Sequence, residues 1–266
     1  MDKHQASISR PIQAVKDVNR VMDHNHQLHP LEVNAKTGEP FLRLKKHPNI
    51  ILTPPRDDDA PAFVPLLNNV RVSYWLGNIP SPYTLDHAKK FVETVSSAAQ
   101  KVLRQLEDAK AEDKAIIVGG CPVRFLREVK ADGTNEFIGD MGVMRSRYGE
   151  FMGTDGVDWD NKALRDEENN SLVVGDPNII WSMGNFVAPQ YSGQGIMTDA
   201  VNTVLHEWCI PRMNVQRMWV STFIGNVASV RVFEKNGFVL IKASEGHVEI
   251  KGKLRGLNIL EWRTQS

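Results

Sequence analysis

The longest hydrophobic pattern in the chain lies between Thr84 and about Lys110. Apolar residues recur there three or four positions apart, which places them on one face of a helix that packs against a core. The stripe consists of Leu85, Ala88, Phe91, Val92, Val95, Val102, Leu103 and Leu106. This spacing predicts a long amphipathic helix.

A second helical pattern runs from Gly195 to about Cys209. Its apolar stripe consists of Ile196, Met197, Ala200, Val201, Val204, Leu205, Trp208 and Cys209. The other side is filled by Thr198, Asp199, Asn202, Thr203, His206 and Glu207. We therefore expect one face of this helix to pack on a sheet and the other face to lie in solvent.

Shorter apolar runs predict strands. Three follow the long helix, "KAIIVGG", "VRFLREVK" and "NEFIGDMGVMR", and the Asp132-Gly133 turn between the last two is typical of a β-hairpin. Further strands are predicted just before Pro54 and at residues 178–187, 217–224, 237–242 and 257–263, with a helix from Asn226 and a charged loop over residues 244–256. A meander followed by alternating helices and strands predicts an α/β (α+β) layered fold.

Two segments do not fit this pattern. Residues 1–48 are polar and have no sustained period, so we interpret them as an N-terminal extension with little core of its own, before a domain at residues 49–266. Residues 146–177 hold eight acidic and three basic residues and are interpreted as a loop-like acidic insert. Such a loop is usually solvated, although it also suits a cationic partner.

Composition narrows the class of protein. The 266 residues contain 32 Lys plus Arg and 32 Asp plus Glu, so no net charge attracts the chain to nucleic acid or to an anionic membrane. Cys121 and Cys209 are far apart, which indicates neither a metal site nor a redox pair. With no apolar signal core at the first residues and no membrane-spanning run, we expect a soluble cytoplasmic protein.

The stretch "APQYSGQGIMTDAV", at residues 188–201, joins a strand to a helix. Gly193 and Gly195 leave room beside the first N–H groups of that helix, which lack intrahelical partners and carry the positive end of the helix dipole. This arrangement is suited to a phosphate group, and the alternative is a plain tight turn. The other phosphate-binding motifs, GxxxxGK followed by Ser or Thr and GxGxxG, are absent from the chain.

Two motifs together point to a family. The first is the run from Gln190 to Gly195, "QYSGQG", and the second begins with Asn226 and Ser229 and ends with "EKNGF" at residues 234–238. In this order and at this separation, they resemble the GNAT superfamily of acyl-CoA-dependent N-acyltransferases, and within it the RimJ/RimL-like branch of ribosomal-protein-alanine acetyltransferases. The resemblance implies a mixed, mostly antiparallel central sheet flanked by helices and splayed at the strands that hold the cofactor.

The resemblance also implies where acetyl-CoA binds. The turn would hold the pyrophosphate, the end of the preceding strand would contact pantetheine, and Asn226 would contact the pantetheine arm while it caps its helix. The implied cofactor-binding residues are Phe186, Val187, Gln190, Ser192, Gly193, Gln194, Gly195, Ile196, Met197, Asn226 and Ser229. No metal is implied.

The implied reaction is direct transfer of acetyl to a primary amine, either a protein N-terminus or a small molecule. Many family members place a tyrosine four residues after the serine of the second motif, as the proton donor to the thiolate. This chain has Phe233 there, so Ser229 is the candidate donor. The general base stays open between Glu150, His247 and water.

The acceptor side and the assembly are less well defined by the resemblance. Trp75 and Tyr83 are candidates for acceptor binding, since the loop between the first two helices sets specificity in this fold. A monomer or a homodimer with no nucleic-acid or membrane partner is expected. The alternative function, prompted by the missing tyrosine, is a non-catalytic acyl-CoA-binding or sensing module.

Overall fold

A computed structural model describes residues 25–77, 79–153, 156–250 and 252–264. Residues 1–24 of the predicted extension lie outside this range. Nine strands form one sheet within the described residues, in the order β1-β2-β3-β4-β5-β6-β7-β9-β8. All neighbours are antiparallel except β6 and β7, which are parallel. The prediction of a mixed, mostly antiparallel sheet is confirmed.

The strands and helices have the following bounds. The strands are β1 Glu32–Val33, β2 Pro40–Arg43, β3 Ile50–Thr53, β4 Phe125–Val129, β5 Asn135–Arg145, β6 Ile180–Val187, β7 Arg217–Phe223, β8 Val239–Ile250 and β9 Lys253–Arg263. The helices are α1 Ala60–Asn68, α2 Val70–Ser73, α3 Leu85–Asp108, α4 Lys162–Ser171, α5 Ile196–Thr203, α6 Ile210–Met213 and α7 Val227–Glu234. A π-helical turn, Val204–Cys209, joins α5 to α6.

Two apolar cores hold the helices on the sheet. The larger core packs the apolar stripe of α5, including Ala200 and Val201, against buried sheet residues such as Met218 and Leu260. The smaller core surrounds Phe63 of α1, whose ring lies 4.7 Å from Phe137 of β5, measured between ring centroids. Most residues of both predicted stripes reach a core, but Leu85 of α3 is 41% exposed, and Thr203 of α5, expected in solvent, is fully buried.

Residues 25–48 of the predicted N-terminal extension pack against the rest of the fold. β1 and β2 continue the sheet beyond β3, and Leu31, Leu42 and Leu44 belong to the larger core. Gln27 is fully buried, and its side chain donates to the Lys114 carbonyl. Strands β1 and β2 are too short for their alternating period to be visible in the sequence. The domain boundary at residue 48 stays a prediction.

Three predicted elements have a different form. "KAIIVGG" is irregular rather than a strand, because its amides bond to the Gln27 side chain and the Arg212 carbonyl instead of to a neighbouring strand. The acidic insert contains the helix α4 and is not merely a loop. In the predicted charged loop at residues 244–256, residues 244–250 belong to β8 and residues 253–256 to β9, which form a long hairpin with irregular pairing between Ser244 and Val248.

Candidate active site

The parallel strands β6 and β7 are paired at one end only. Their register runs from Ile180 opposite Arg217 to Ser182 opposite Trp219, while β6 continues to Val187 and β7 to Phe223. Beyond Ser182 the backbone groups that face the gap are therefore not used between these two strands. A cavity of about 1060 Å³ is lined by residues of both diverging strands. The predicted splay is confirmed.

The glycine turn lies at one end of this cavity. Gly193 and Gly195 have φ angles of 78° and 81°, a left-handed conformation that glycine adopts without strain. Gly195 is the N-cap of α5, and a Cβ added at Gly193 would meet nothing within 4 Å. The backbone is thus exposed where the amides of the first turn of α5 point outward.

Most of the predicted cofactor residues line the cavity. These are Phe186, Val187, Ser192, Gly193, Gly195, Ile196, Met197, Asn226 and Ser229. The structure places Gln190 and Gln194 differently, since neither lines the cavity and both are exposed. The Gln194 side chain donates to the Gln190 carbonyl at 2.8 Å, and this hydrogen bond links the two ends of the turn on its exposed side.

A buried carboxylate supports the same turn from behind. Asp199 was expected in solvent, but it is 2% exposed and accepts from the Lys46 amide at 2.8 Å. His47 lies with Nδ1 2.8 Å from Asp199 Oδ2 and with Nε2 3.1 Å from the Gln194 carbonyl oxygen. The segment between β2 and β3 is therefore attached to the glycine turn.

Helix α7 lines the cavity next to this turn. The Asn226 side chain accepts from the Ser229 amide at 3.2 Å, which is the N-cap predicted from the sequence. Ser229 is half-buried on the cavity wall, while Phe233, one turn further on, is 1% exposed. An aromatic ring without a hydroxyl therefore lies where many family members have the tyrosine.

The two aromatic residues proposed for acceptor binding lie in different places. Trp75 lines the cavity, where Arg255 lies over its ring at 5.3 Å. Tyr83 is 6% exposed in the smaller core, and its backbone bonds to the side chain of Asn68. Tyr83 is therefore a packing residue, and its aromatic character alone could not distinguish the two roles.

The acidic insert and the β8–β9 hairpin meet at the other end of the cavity. His247 Nε2 lies 3.2 Å from Glu150 Oε1, and Lys162 donates to Glu150 Oε2 at 2.6 Å. The His247 ring is stacked between Phe151 and Trp159, each at 4.6 Å between centroids. The structure thus brings together the two candidate bases, which are 97 residues apart in sequence.

Two further groups at this end were not predicted. The hydroxyls of Tyr148 and Ser221 share a hydrogen bond, and burial raises the pKa of Tyr148 while that bond opposes the shift. Burial alone would lower the pKa of Lys162, but its hydrogen bonds to Glu150 and Asp166 outweigh burial and raise the pKa. Their positions depend on how the insert folds, for which the sequence carries no motif.

Neither cysteine lines the cavity. Cys209 is fully buried, and burial raises the pKa of Cys121 to about 12. Both thiols therefore stay protonated at neutral pH, which is unfavourable for a nucleophile.

The described residues contain no group of three or more His, Cys, Asp or Glu side chains that could hold a metal ion. No helix among them is both long and apolar enough to cross a membrane.

Comparison with known proteins identifies the family. The model of the acetyltransferase (GNAT) domain matches residues 49–239, which is most of the chain. The chain belongs to the GNAT acetyltransferase family. This acetyltransferase has the splayed strands that the family resemblance implied. Among curated proteins, the sequence has no significant match.

Solved acetyltransferases share the fold at low sequence identity. RimJ of Mycobacterium smegmatis, in complex with CoA-disulfide, is 18% identical with a TM-score of 0.50, covering 85% of this chain and 86% of its own. RimL, a ribosomal L7/L12 alpha-N-protein acetyltransferase, is 13% identical with a TM-score of 0.55 and coverages of 88% and 99%.

A third similar structure is the microcin C7 self-immunity acetyltransferase MccE with acetyl-CoA and AMP. It is 14% identical with a TM-score of 0.50, covering 81% of this chain and 93% of its own. The likeness to the RimJ/RimL-like branch therefore holds at the level of the fold. RimL is named for ribosomal L7/L12 and MccE for self-immunity to microcin C7, so the shared fold does not identify the acceptor.

Proposed function

We propose that this acetyltransferase moves the acetyl group of acetyl-CoA directly to a primary amine. The observation that carries the proposal is the cavity in the splay, with exposed amides of the glycine turn at one end and proton-accepting side chains at the other. The family membership supplies the reaction class, and the RimJ and MccE complexes show that proteins of this fold bind CoA or acetyl-CoA.

The donor would bind along the diverging strands. The amides around Gly193 and Ile196 suit the pyrophosphate, because the N-terminus of α5 presents donors and a positive dipole end. The edge of β6 up to Val187 suits pantetheine, whose amides can bond to backbone groups that β7 does not use. Ser229 would then lie beside the thiol end as a proton donor.

In the reaction, the amine nitrogen attacks the thioester carbonyl and the C–S bond breaks. Placing the two reactants in one cavity supplies much of the rate, since it replaces a bimolecular encounter. The raised pKa values of both cysteines favour direct transfer over a covalent enzyme intermediate. The cytoplasmic location and the monomeric or dimeric state stay predictions.

The alternative is a module that binds acyl-CoA without turnover, which Phe233 favours because it lacks the usual hydroxyl. An assay of free thiol with acetyl-CoA and a panel of amines distinguishes the two. We expect thiol release that requires an amine, and release only with peptides starting in Ala or Ser would indicate a protein N-terminus as the acceptor. Stabilisation by acetyl-CoA with no release on any amine would contradict the transferase.

A further inference from the structure

The groups at the acceptor end of the cavity form a chain of hydrogen bonds. His247 of β8 lies between Ser244 Oγ, 3.2 Å from its Nδ1, and Glu150 Oε1, 3.2 Å from its Nε2. The side chains of His247 and Glu150 are 2% and 4% exposed, yet both residues line the cavity. We propose that His247, oriented by Glu150, is the general base that takes the proton from the acceptor amine.

This proposal rests on the proposed function. The hydrogen-bond partners of His247 determine which ring nitrogen carries the proton. An ionised Glu150 only accepts hydrogen bonds, so Nε2 carries the proton of the neutral ring and Nδ1 keeps a lone pair. The Ser244 hydroxyl can donate to that lone pair and rotate away from it. A base held in one tautomer by a carboxylate is an arrangement that acyl-transfer enzymes use repeatedly.

Glu150 is better suited to orient the imidazole than to take the proton itself. Lys162 donates to its second oxygen at 2.6 Å, so the carboxylate charge is already compensated. The neutral imidazole keeps a lone pair on Nδ1, whereas both carboxylate oxygens of Glu150 already accept hydrogen bonds, from His247 and from Lys162. Stacking between Phe151 and Trp159 holds the ring in place.

Other charged and titratable side chains near the ring, within the part of the chain that the structure describes, are paired as well. Lys242 on β8 donates to the carbonyls of Phe151 and Gly153, and Tyr148 bonds to Ser221. Asp166 on α4 accepts from Lys162 at 3.0 Å. Among these described groups, His247 can gain a proton without breaking an ion pair.

The proton balance is as follows. The ammonium form of the acceptor loses one proton to Nδ1 of His247, and the imidazolium that forms is stabilised by Glu150. The neutral amine attacks the carbonyl carbon, so the N–C bond forms and the C–S bond breaks with its electron pair on sulfur. The second amine proton ends on the CoA thiol, and His247 later releases the first proton to water.

The test compares two kinds of amine with His247→Gln and His247→Phe. The phenylalanine ring keeps the stack with Phe151 and Trp159, so a loss of activity in His247→Phe cannot be attributed to a missing aromatic ring. With an ordinary primary amine, we expect kcat/KM at pH 7 to fall about 10²-fold and the acidic limb of its pH profile to move upward. With an aryl amine that is already neutral at this pH, the loss should be less than about tenfold, because no base is needed.

His206→Gln is the matched control, because His206 is exposed on the other side of the sheet-packed helix and lies outside the cavity. This control should leave kcat/KM for both amines and its pH profile unchanged. All variants should keep the wild-type Kd for acetyl-CoA. An equal loss with both amines, or an unchanged pH profile in both His247 variants, would overturn the proposal. No transfer by the wild-type protein to any amine would instead contradict the proposed function itself.

Discussion

Gly193 combines a left-handed backbone with open space on the cavity wall. Replacing it by valine should cost about 1–2 kcal/mol in folding because of the φ angle, and should also cover the amides of the turn. Losing charge-assisted bonds of this kind is expected to raise the Kd for acetyl-CoA about tenfold to a hundredfold. Isothermal titration measures the change.

Gly133→Val is the matched control for this variant. Gly133 has a φ of 83° and the same open surroundings, but it lies in the turn between β4 and β5 and not at the cavity. It should show a similar loss of stability with an unchanged Kd. If both variants bind acetyl-CoA as the wild type does, the glycine turn is not the anion site.

Single residues were predictable where the signal is local. The Asn226 cap and the positive φ of the two turn glycines follow from a few neighbouring residues, so the sequence suffices to predict them. The burial of Tyr83 and Asp199 accompanies tertiary contacts, with Asn68 for the first and His47 for the second. Neither of these contacts can be predicted from residue type or from helical period.

Strand β7 carries an ion-pair cluster at the closed end of the splay. Arg217 and Trp219 donate to Glu261 of β9, at 2.5 Å and 2.8 Å, and Arg263 donates to its other oxygen at 2.8 Å. Burial would raise the pKa of Glu261, but these hydrogen bonds outweigh it and lower the pKa. The cluster therefore stabilises the fold only while Glu261 is ionised.

The pH dependence of this contribution has a definite sign. The pKa of Glu261 is lower in the folded state, so its contribution is present above the usual glutamate pKa of about 4.3 and is lost as pH falls through the folded value. Glu261→Gln should reduce the free energy of unfolding at pH 7 by about 1–3 kcal/mol and should flatten its decline below pH 4.3. Urea denaturation at several pH values measures both effects.

The matched control is Glu32→Gln, whose exposed pair with Arg43 lies at the far edge of the sheet. Such a pair contributes little, so stability should change by less than about 1 kcal/mol. A decline with acid that is equally steep in Glu261→Gln and in the wild type would contradict the assignment.

Elements with a long, regular period were predictable from the sequence, and short or context-dependent ones were not. The 24 residues of α3 show their stripe clearly, whereas "KAIIVGG" has an apolar run typical of a strand but no strand beside it to pair with. The continuation of β8 and β9 past residue 244 was missed because charged residues on an exposed hairpin resemble a loop. Whether these segments form strands depends on hydrogen bonding to a neighbouring strand and not on their composition.

At the scale of the whole molecule, the segment before β3 is coupled to the glycine turn of the proposed donor site. His47 bridges Asp199 and the Gln194 carbonyl, so replacing it by alanine should loosen the glycine turn. Loss of one such contact is worth about 1 kcal/mol, which corresponds to a roughly fivefold rise in the Kd for acetyl-CoA. The thermal shift produced by a fixed acetyl-CoA concentration should shrink accordingly.

Glu32→Ala serves as the control, since it removes an exposed pair with Arg43 before β3 and leaves the bond from Arg43 to the Pro48 carbonyl in place. It should leave the thermal shift intact. An unchanged shift in His47→Ala would show that the turn holds its shape without the segment.

The overall sheet order could be expected only from the family resemblance. The insertion of β9 between β7 and β8 joins residues far apart in sequence, and no local pattern encodes it. The two-stranded addition of β1 and β2 falls before residue 49, where the family match begins.

The position of β9 also has a consequence for the order of assembly. β8 reaches the sheet only through β9, whose residues 257–263 pair with the whole length of β7. β9 also supplies Leu260 to the core on which α5 packs. A nascent chain that has emerged only as far as Ile250 therefore lacks both the strand that fixes His247 and a residue that holds the helix after the glycine turn. Both ends of the cavity can mature only after β9 has been made.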